Sequence, residues 1–212
     1  MKHLYIAFIT ILSLTNLNAQ KRKIRFGERA GLNISSINFD DSDDFGEVES
    51  RTGFHIGGFL EIPISKKLSI QPEIIFSTQG FVIPEREIFD VVTPLSELKN
   101  NYDYLNIPII VKFYVYEGFS IQAGPQFSFL TSAEQESTND FTGTISQDVS
   151  EFINNVDFGL NFGLGYQLGF GLFIDIRYNL GLRDVFVFEN PNSPTETFGR
   201  NRVFQISAGY KF

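Results

Sequence analysis

Along much of this chain every second residue is apolar. The clearest stretch begins at Val156: Val156, Phe158, Leu160, Phe162, Leu164, Tyr166 and Leu168 take one parity, and Asp157, Gly159, Asn161, Gly163, Gly165 and Gln167 take the other. Successive side chains of a strand point to opposite faces, so this spacing predicts a strand with one oily face and one small, polar face. The same rule sets Leu172, Ile174, Ile176, Tyr178, Leu180 and Leu182 against Asp175, Arg177, Asn179, Gly181 and Arg183. It sets Phe54, Ile56, Leu60 and Ile62 against His55, Gly57, Phe59 and Glu61, and Leu105, Ile107, Ile109, Val111, Phe113 and Val115 against Asn106 and Lys112. Eight strands are predicted, over 24–37, 52–63, 68–82, 102–116, 119–131, 154–168, 172–183 and 201–212.

The connections alternate between long and short. Polar segments fill 38–51, 84–101, 132–153 and 184–200, whereas 63–67, 117–118 and 169–171 read as tight turns. Each strand reaches the roughly 9 to 11 residues that a tilted membrane strand needs. Long outer loops alternating with short periplasmic turns are the mark of a transmembrane β-barrel. The predicted fold is all-β: an eight-stranded antiparallel transmembrane β-barrel, an up-and-down meander with both ends of the strand series on the periplasmic side.

Alternation alone does not say which face is outside. A soluble barrel with the oily face inward fails on volume, because an eight-stranded barrel has an interior only just wide enough to be filled by side chains. The polar face is rich in glycine, which weakens strands on a wet surface but makes room for long charged side chains in a narrow lumen. The oily face is therefore expected to meet lipid. Hydrocarbon offers no hydrogen bonds, so closure of the sheet supplies every backbone partner. Pro72, Pro108 and Pro125 fall inside predicted strands and are expected at bulges, since each deletes a ladder donor.

The first residues combine Lys2, an apolar run from Leu4 to Leu14 and a polar close at Asn18, Ala19 and Gln20. This reads as a secretory signal peptide over 1–19, with one barrel domain over 20–212. The apolar run is shorter than the roughly 20 residues of a membrane helix. There is no cysteine, which excludes a disulfide framework, thiol catalysis and thiolate metal sites. The net charge of −8 argues against nucleic acid, whose binding depends on cations that neutralise phosphates.

Longer motifs sharpen this reading. They are RAGLNISSI from Arg29, GFHIGGFLEIPISKKLSIQPEIIFSTQG from Gly53, YLNIPIIVKFYVYEGFSIQAGPQFSFL from Tyr104 and DFGLNFGLGYQLGFGLFIDIRYNLGLRDV from Asp157. The terminal NRVFQISAGYKF, with Phe204, Ile206, Ala208, Tyr210 and Phe212 on one face, looks like the strand signal recognised by the outer-membrane insertion machinery. Together they resemble the small outer-membrane β-barrel family of Bacteroidota that includes PorT-like proteins. The resemblance covers nearly the whole mature chain and implies an outer-membrane location. Family members with a role are associated with secretion or assembly of other proteins, and no catalytic signature carries over.

Candidate chemistry is sparse, and no catalytic, cofactor or metal site is assigned. His55 is the only histidine beyond the leader, and a hydrolase reading would pair it with Ser35 or Glu61 near the outer rim. The inward-facing charges Arg25, Arg29, Glu61, Glu73, Lys112, Asp157, Asp175, Arg177, Arg183 and Lys211 mix both signs. In a narrow lumen such charges are expected to pair and plug it, because buried charges must be matched. Glu61 and Glu73, on adjacent strands, form a formal acid/base pair, yet nearby Lys112 and arginines favour ionised carboxylates. The run DDSDDFGE from Asp40 to Glu47 offers carboxylates to calcium but lacks the spacing of a calcium loop. The glycines from Gly159 to Gly171 lie on one strand face and lead into no helix, which excludes a phosphate loop. Phe45, Phe89, Phe141, Phe152, Phe186, Phe188 and Phe198 stand in polar loops, where they either form a partner surface or pack together and against headgroups.

Three functions follow as expectations. The first is a non-enzymatic membrane protein that binds or supports a protein partner through its outer loops. The alternatives are a small passive pore for solutes and an outer-membrane hydrolase using His55.

Overall fold

The computed structural model describes residues 23–39, 48–84, 97–139, 143–188 and 196–212. The predicted leader over 1–19 and the acidic run over 40–47 lie outside the described residues. The strands are β1 (Arg25–Asn38), β2 (Glu49–Pro63), β3 (Leu68–Ile83), β4 (Glu97–Tyr116), β5 (Phe119–Asn139), β6 (Gly143–Asp148), β7 (Val156–Gln167), β8 (Leu172–Phe188) and β9 (Glu196–Lys211). Each of β1–β5 and β7–β9 pairs antiparallel with its neighbours in the chain, β6 being bypassed, and β1 pairs with β9. Eight strands thus close into a ring, as the alternation predicts.

The ninth described strand, β6, stands apart from the ring and pairs with the upper part of β5, from Glu134↔Asp148 to Asn139↔Gly143. Four segment ends also differ from the predicted ones: β4 starts at Glu97, β5 runs to Asn139, β8 runs to Phe188 and β9 starts at Glu196. These residues were expected in loops because they lack an oily parity: the β4, β5 and β9 extensions are mostly polar, and the β8 extension is apolar at consecutive positions from Val185. Above the bilayer no lipid imposes an apolar outer face, so the ladder continues without strict alternation.

The faces follow the parity of the sequence. Ile74, Ile174 and Leu164 are 60%, 58% and 42% exposed on the outside, whereas Arg29 and Arg177 on the inside are 1% and 2% exposed. Closure also explains two adjacent glycines. A methyl group on inward Gly57 would strike the Ile74 carbonyl oxygen and approach Ile75 Cα at 2.7 Å, while one on outward Gly58 would meet only Gly27 O at 3.6 Å.

The prolines are not at bulges. The register holds across all three: Pro72↔Ile109, Pro108↔Gln126 and Pro125↔Leu160 continue the pairings on either side. Each instead sits where the ladder to the preceding strand skips two residues, so the missing N–H costs one local interruption and no slip. The register shifts fall between Ser50 and His55, Asp103 and Tyr104, Tyr114 and Tyr116, and Leu180 and Asp184. Arg183 lies in the last of these and is exposed at the rim, not enclosed in the lumen as predicted; its guanidinium donates to Asn154 Oδ1 at 3.2 Å.

Candidate functional site in the barrel lumen

The inward residues of the eight strands form stacked layers. At the periplasmic end Glu61 accepts hydrogen bonds from Ser69 (3.0 Å), Tyr114 (2.8 Å) and Lys211. Lys112, one position deeper on β4, is buried and lies over the Phe173 ring at 5.5 Å. It makes no ion pair with Glu61 or Glu73.

Above this, four ionic groups meet in the centre. Arg29 donates to Glu73 at 3.2 Å and to Asp175 at 2.7 Å, and Arg177 grips both oxygens of Glu73 at 2.9 and 2.8 Å. Gln71 adds a bond to Glu73 at 2.6 Å, and Gln122 accepts from Arg177 at 2.9 Å. Two cations against two carboxylates leave the quartet neutral, which a dry lumen requires. Glu61 and Glu73 therefore belong to separate ion clusters and share no proton as an acid/base pair.

The next layer contains His55. Neither predicted partner reaches it: Ser35 donates to the Gly80 and Arg51 carbonyls, and Glu61 lies in the floor cluster. The ring sits instead between Asn33 Oδ1, 2.8 Å from Nδ1, and Ser207 Oγ, 2.8 Å from Nε2. An amide oxygen only accepts, so Nδ1 carries the proton and Nε2 receives the Ser207 hydroxyl. Ser207, His55 and Asn33 thus have the connectivity of a nucleophile, a base and an orienting group. Alternation places Ser207 and Asn33 inward, but sequence offers no sign that β9 brings Ser207 beside His55, since that pairing is made only when β1 and β9 close the ring.

Chemistry needs more than connectivity. Ser207, His55 and Asn33 are each at most 1% exposed, and Ser207 Oγ also accepts from Arg29. Asn33 is held by Phe54 O, Ser77 Oγ, Thr78 O and Gln205 Nε2, all at 2.9 to 3.0 Å. Buried and bonded to its neighbours on every side, the trio forms a hydrogen-bonded layer across the lumen.

Higher still, amide side chains link across the lumen: Asn161 donates to Gln126 at 3.1 Å and Asn201 to Asp157 at 2.9 Å. The outer end is closed by Ile37, Phe39, Phe81, Tyr102, Tyr104, Ala133, Ile153 and Val185, with Phe186 and Phe198 packed on them. Phe186 and Phe198 stack with centroids 5.2 Å apart, and Phe81 meets both Tyr102 (6.1 Å) and Phe186 (6.2 Å) edge on. Two of the loop phenylalanines thus pack inward, while Phe152 stays 45% exposed. Phe45, Phe89, Phe141 and the side chain of Phe188 lie outside the described residues.

A closed meander with a lipid-facing girdle and a polar, filled lumen is the setting for the comparison with known proteins. The model of the outer membrane protein β-barrel domain family matches residues 18–187. This chain belongs to that family. Its girdle accordingly meets the lipid of the outer membrane. No curated protein matches the sequence. Among solved structures, Neisserial surface protein A is similar with a TM-score of 0.51 and 10% identity, over 90% of this chain and 100% of that one. A major outer membrane protein of Thermus thermophilus (TM-score 0.49, 14% identity) and Ail of Yersinia pestis (0.48, 15%) cover the same shares. At such identities the likeness concerns the fold of these outer membrane barrels alone.

Proposed function

We propose that this outer membrane barrel is a closed, non-enzymatic platform that holds a projecting sheet in front of a protein partner. The observation that carries the reading is the filled lumen: an ionic quartet, a hydrogen-bonded layer and an aromatic cap lie in series, so no wet path joins the two sides. With the interior occupied, the outer surface is where recognition happens. There β4, β5 and β6 continue beyond the ring, and β6 pairs on one side only among the described residues. Free backbone donors and acceptors on such an edge accept an added strand. Between Lys112 and Arg177 the chain contains no Lys or Arg, so the hairpin bearing Glu134, Glu136 and Asp148 is acidic. Asp148 is held below the ordinary carboxyl range by the Ser150 hydroxyl and main-chain N–H, the latter 2.8 Å away. The partner surface is thus suited to a basic, extended segment.

The resemblance to PorT-like proteins supports a role in secretion or assembly of other proteins, with 1–19 removed as a signal peptide and 20–212 forming the mature barrel. A passive pore is disfavoured by the plug, and a hydrolase by the enclosure of Ser207 and His55.

Two measurements test the proposal. In planar bilayers the refolded protein is expected to show no stable open-channel steps; steady single-channel current would refute the closed lumen. A photo-cross-linker at Ile145 is expected to capture a protein in the native membrane, and capture at a lipid-facing site such as Leu164 in place of Ile145 would refute the assignment of the surface.

A further inference from the structure

The opposite mouth of the barrel is open. A cavity of about 770 Å³ occupies the periplasmic end, lined by residues from the start of β1, the end of β9 and the three short turns. That volume falls within the range of about 300 to 1,000 Å³ typical of small-molecule sites. The plug closes its inner end, so whatever enters leaves by the same mouth. The cavity is thus a dead-ended pocket rather than the entrance to a channel.

Its charge is one-sided. Lys23, Arg25, Lys66 and Lys211 line it, with Glu61 as the single acidic side chain, so four cationic side chains stand against one acidic one and the mouth is cationic. Glu61 is already saturated by Lys211, Tyr114 and Ser69. Lys23, Arg25 and Lys66 have no carboxylate partner among the described residues. Glu117, next to the lining Gly118, does not itself line the cavity. Gln167 and Tyr114 offer polar groups, while Ile24, Pro63, Leu168 and Phe212 provide an apolar wall. Unopposed cations converging on a concave surface attract and hold anions.

We propose that this vestibule binds a multivalent anion, bearing phosphate or carboxylate groups, presented from the periplasmic side. Arg25 and Lys66 are the principal ligands at the rim, and the Glu61–Lys211–Tyr114 cluster forms the floor. The proposal does not depend on the outer-surface reading.

The test uses the mature chain refolded into nanodiscs of zwitterionic lipid, titrated calorimetrically with inorganic tripolyphosphate and then with citrate. At least one probe is expected to bind saturably and one-to-one, with affinity falling at least about tenfold between roughly 50 and 300 mM salt, as screening demands. The double variant Arg25→Gln/Lys66→Gln is expected to lose at least about tenfold in affinity, whereas Lys99→Gln, on the outer sheet, keeps wild-type binding. Heat-dependent gel mobility verifies that each variant is a folded barrel. A second set of discs contains phosphatidylglycerol. Weakened probe binding there, absent in the double variant, identifies a lipid headgroup as the natural occupant, and unchanged binding identifies a soluble anion. No saturable binding in zwitterionic discs, or equal binding by wild type and the double variant, overturns the proposal.

Discussion

Replacing Glu73 by glutamine removes one of the two carboxylates that neutralise Arg29 and Arg177 in the middle of the lumen. Glu73 accepts four hydrogen bonds, from Arg29 at 3.2 Å, Arg177 at 2.9 and 2.8 Å and Gln71 at 2.6 Å. All these ionic side chains are 0 to 1% exposed, so water cannot replace what is lost. The charge of the quartet rises from zero to +1, with two guanidiniums facing Asp175 alone. Breaking a buried pair by removing one partner costs about 3–5 kcal/mol. Glutamine keeps one carbonyl oxygen as an acceptor, which puts Glu73→Gln near the lower end, at about 3 kcal/mol. Adding Arg177→Met restores neutrality and leaves the Arg29–Asp175 pair at 2.7 Å intact. The double variant should therefore recover at least half of the loss, since a buried pair and a packed apolar substitute are often of similar stability. Urea unfolding in phospholipid vesicles, followed by far-UV circular dichroism and gel mobility, measures this; the chain has no tryptophan to report by fluorescence. If Glu73→Gln falls within about 0.5 kcal/mol of the outer-sheet control Glu136→Gln, the range of ordinary surface changes, then water reaches the quartet and the closed-lumen argument fails.

Other expectations follow from the same geometry. Leu164→Arg, on the lipid face at mid-height, should cost roughly 2 to 4 kcal/mol in the same vesicles, while Ile145→Arg on the projecting sheet should cost little; equal costs would contradict the assignment of faces. Gly57→Ala, driven into the neighbouring strand, should destabilise by about 1–3 kcal/mol, and Gly58→Ala, pointing into open space, should leave the urea midpoint nearly unchanged. Combining Phe81→Ala and Phe186→Ala should loosen the outer cap by several kcal/mol, about 3–5 for the buried Phe81 ring and less for the half-buried Phe186. That variant should still be non-conducting in planar bilayers, because the quartet lies beneath. Open-channel steps from it would place the seal at the cap.

The membrane-spanning part of each strand was legible residue by residue. Val156 through Gln167 obeys the predicted parity without exception, because lipid on one side and a crowded lumen on the other act on every position. The extensions above the bilayer were not legible. Residues such as Glu134, Gln135 and Glu136 keep the ladder with no oily parity to announce it. Arg183 was misplaced for a related reason: at the rim the β8–β9 register slips by two residues, a slip that no residue type declares, and Arg183 falls in the unpaired stretch. The prolines misled in the opposite direction, since a missing donor does not require an extra residue when the register is held by long ladders on both sides.

The chain's own pattern determined the strand count of the ring, the face that meets lipid and the enclosure of mixed charges, because each depends only on local alternation and on the volume of an eight-stranded barrel. The pairing of specific charges and hydrogen-bond partners was decided by tertiary structure. Arg29 and Asp175, or His55 and Ser207, lie far apart along the chain and meet only when β1 closes against β9. Strand register sets which inward side chains share a height, and register comes from the whole ladder, so only the closed ring fixes what each buried charge faces.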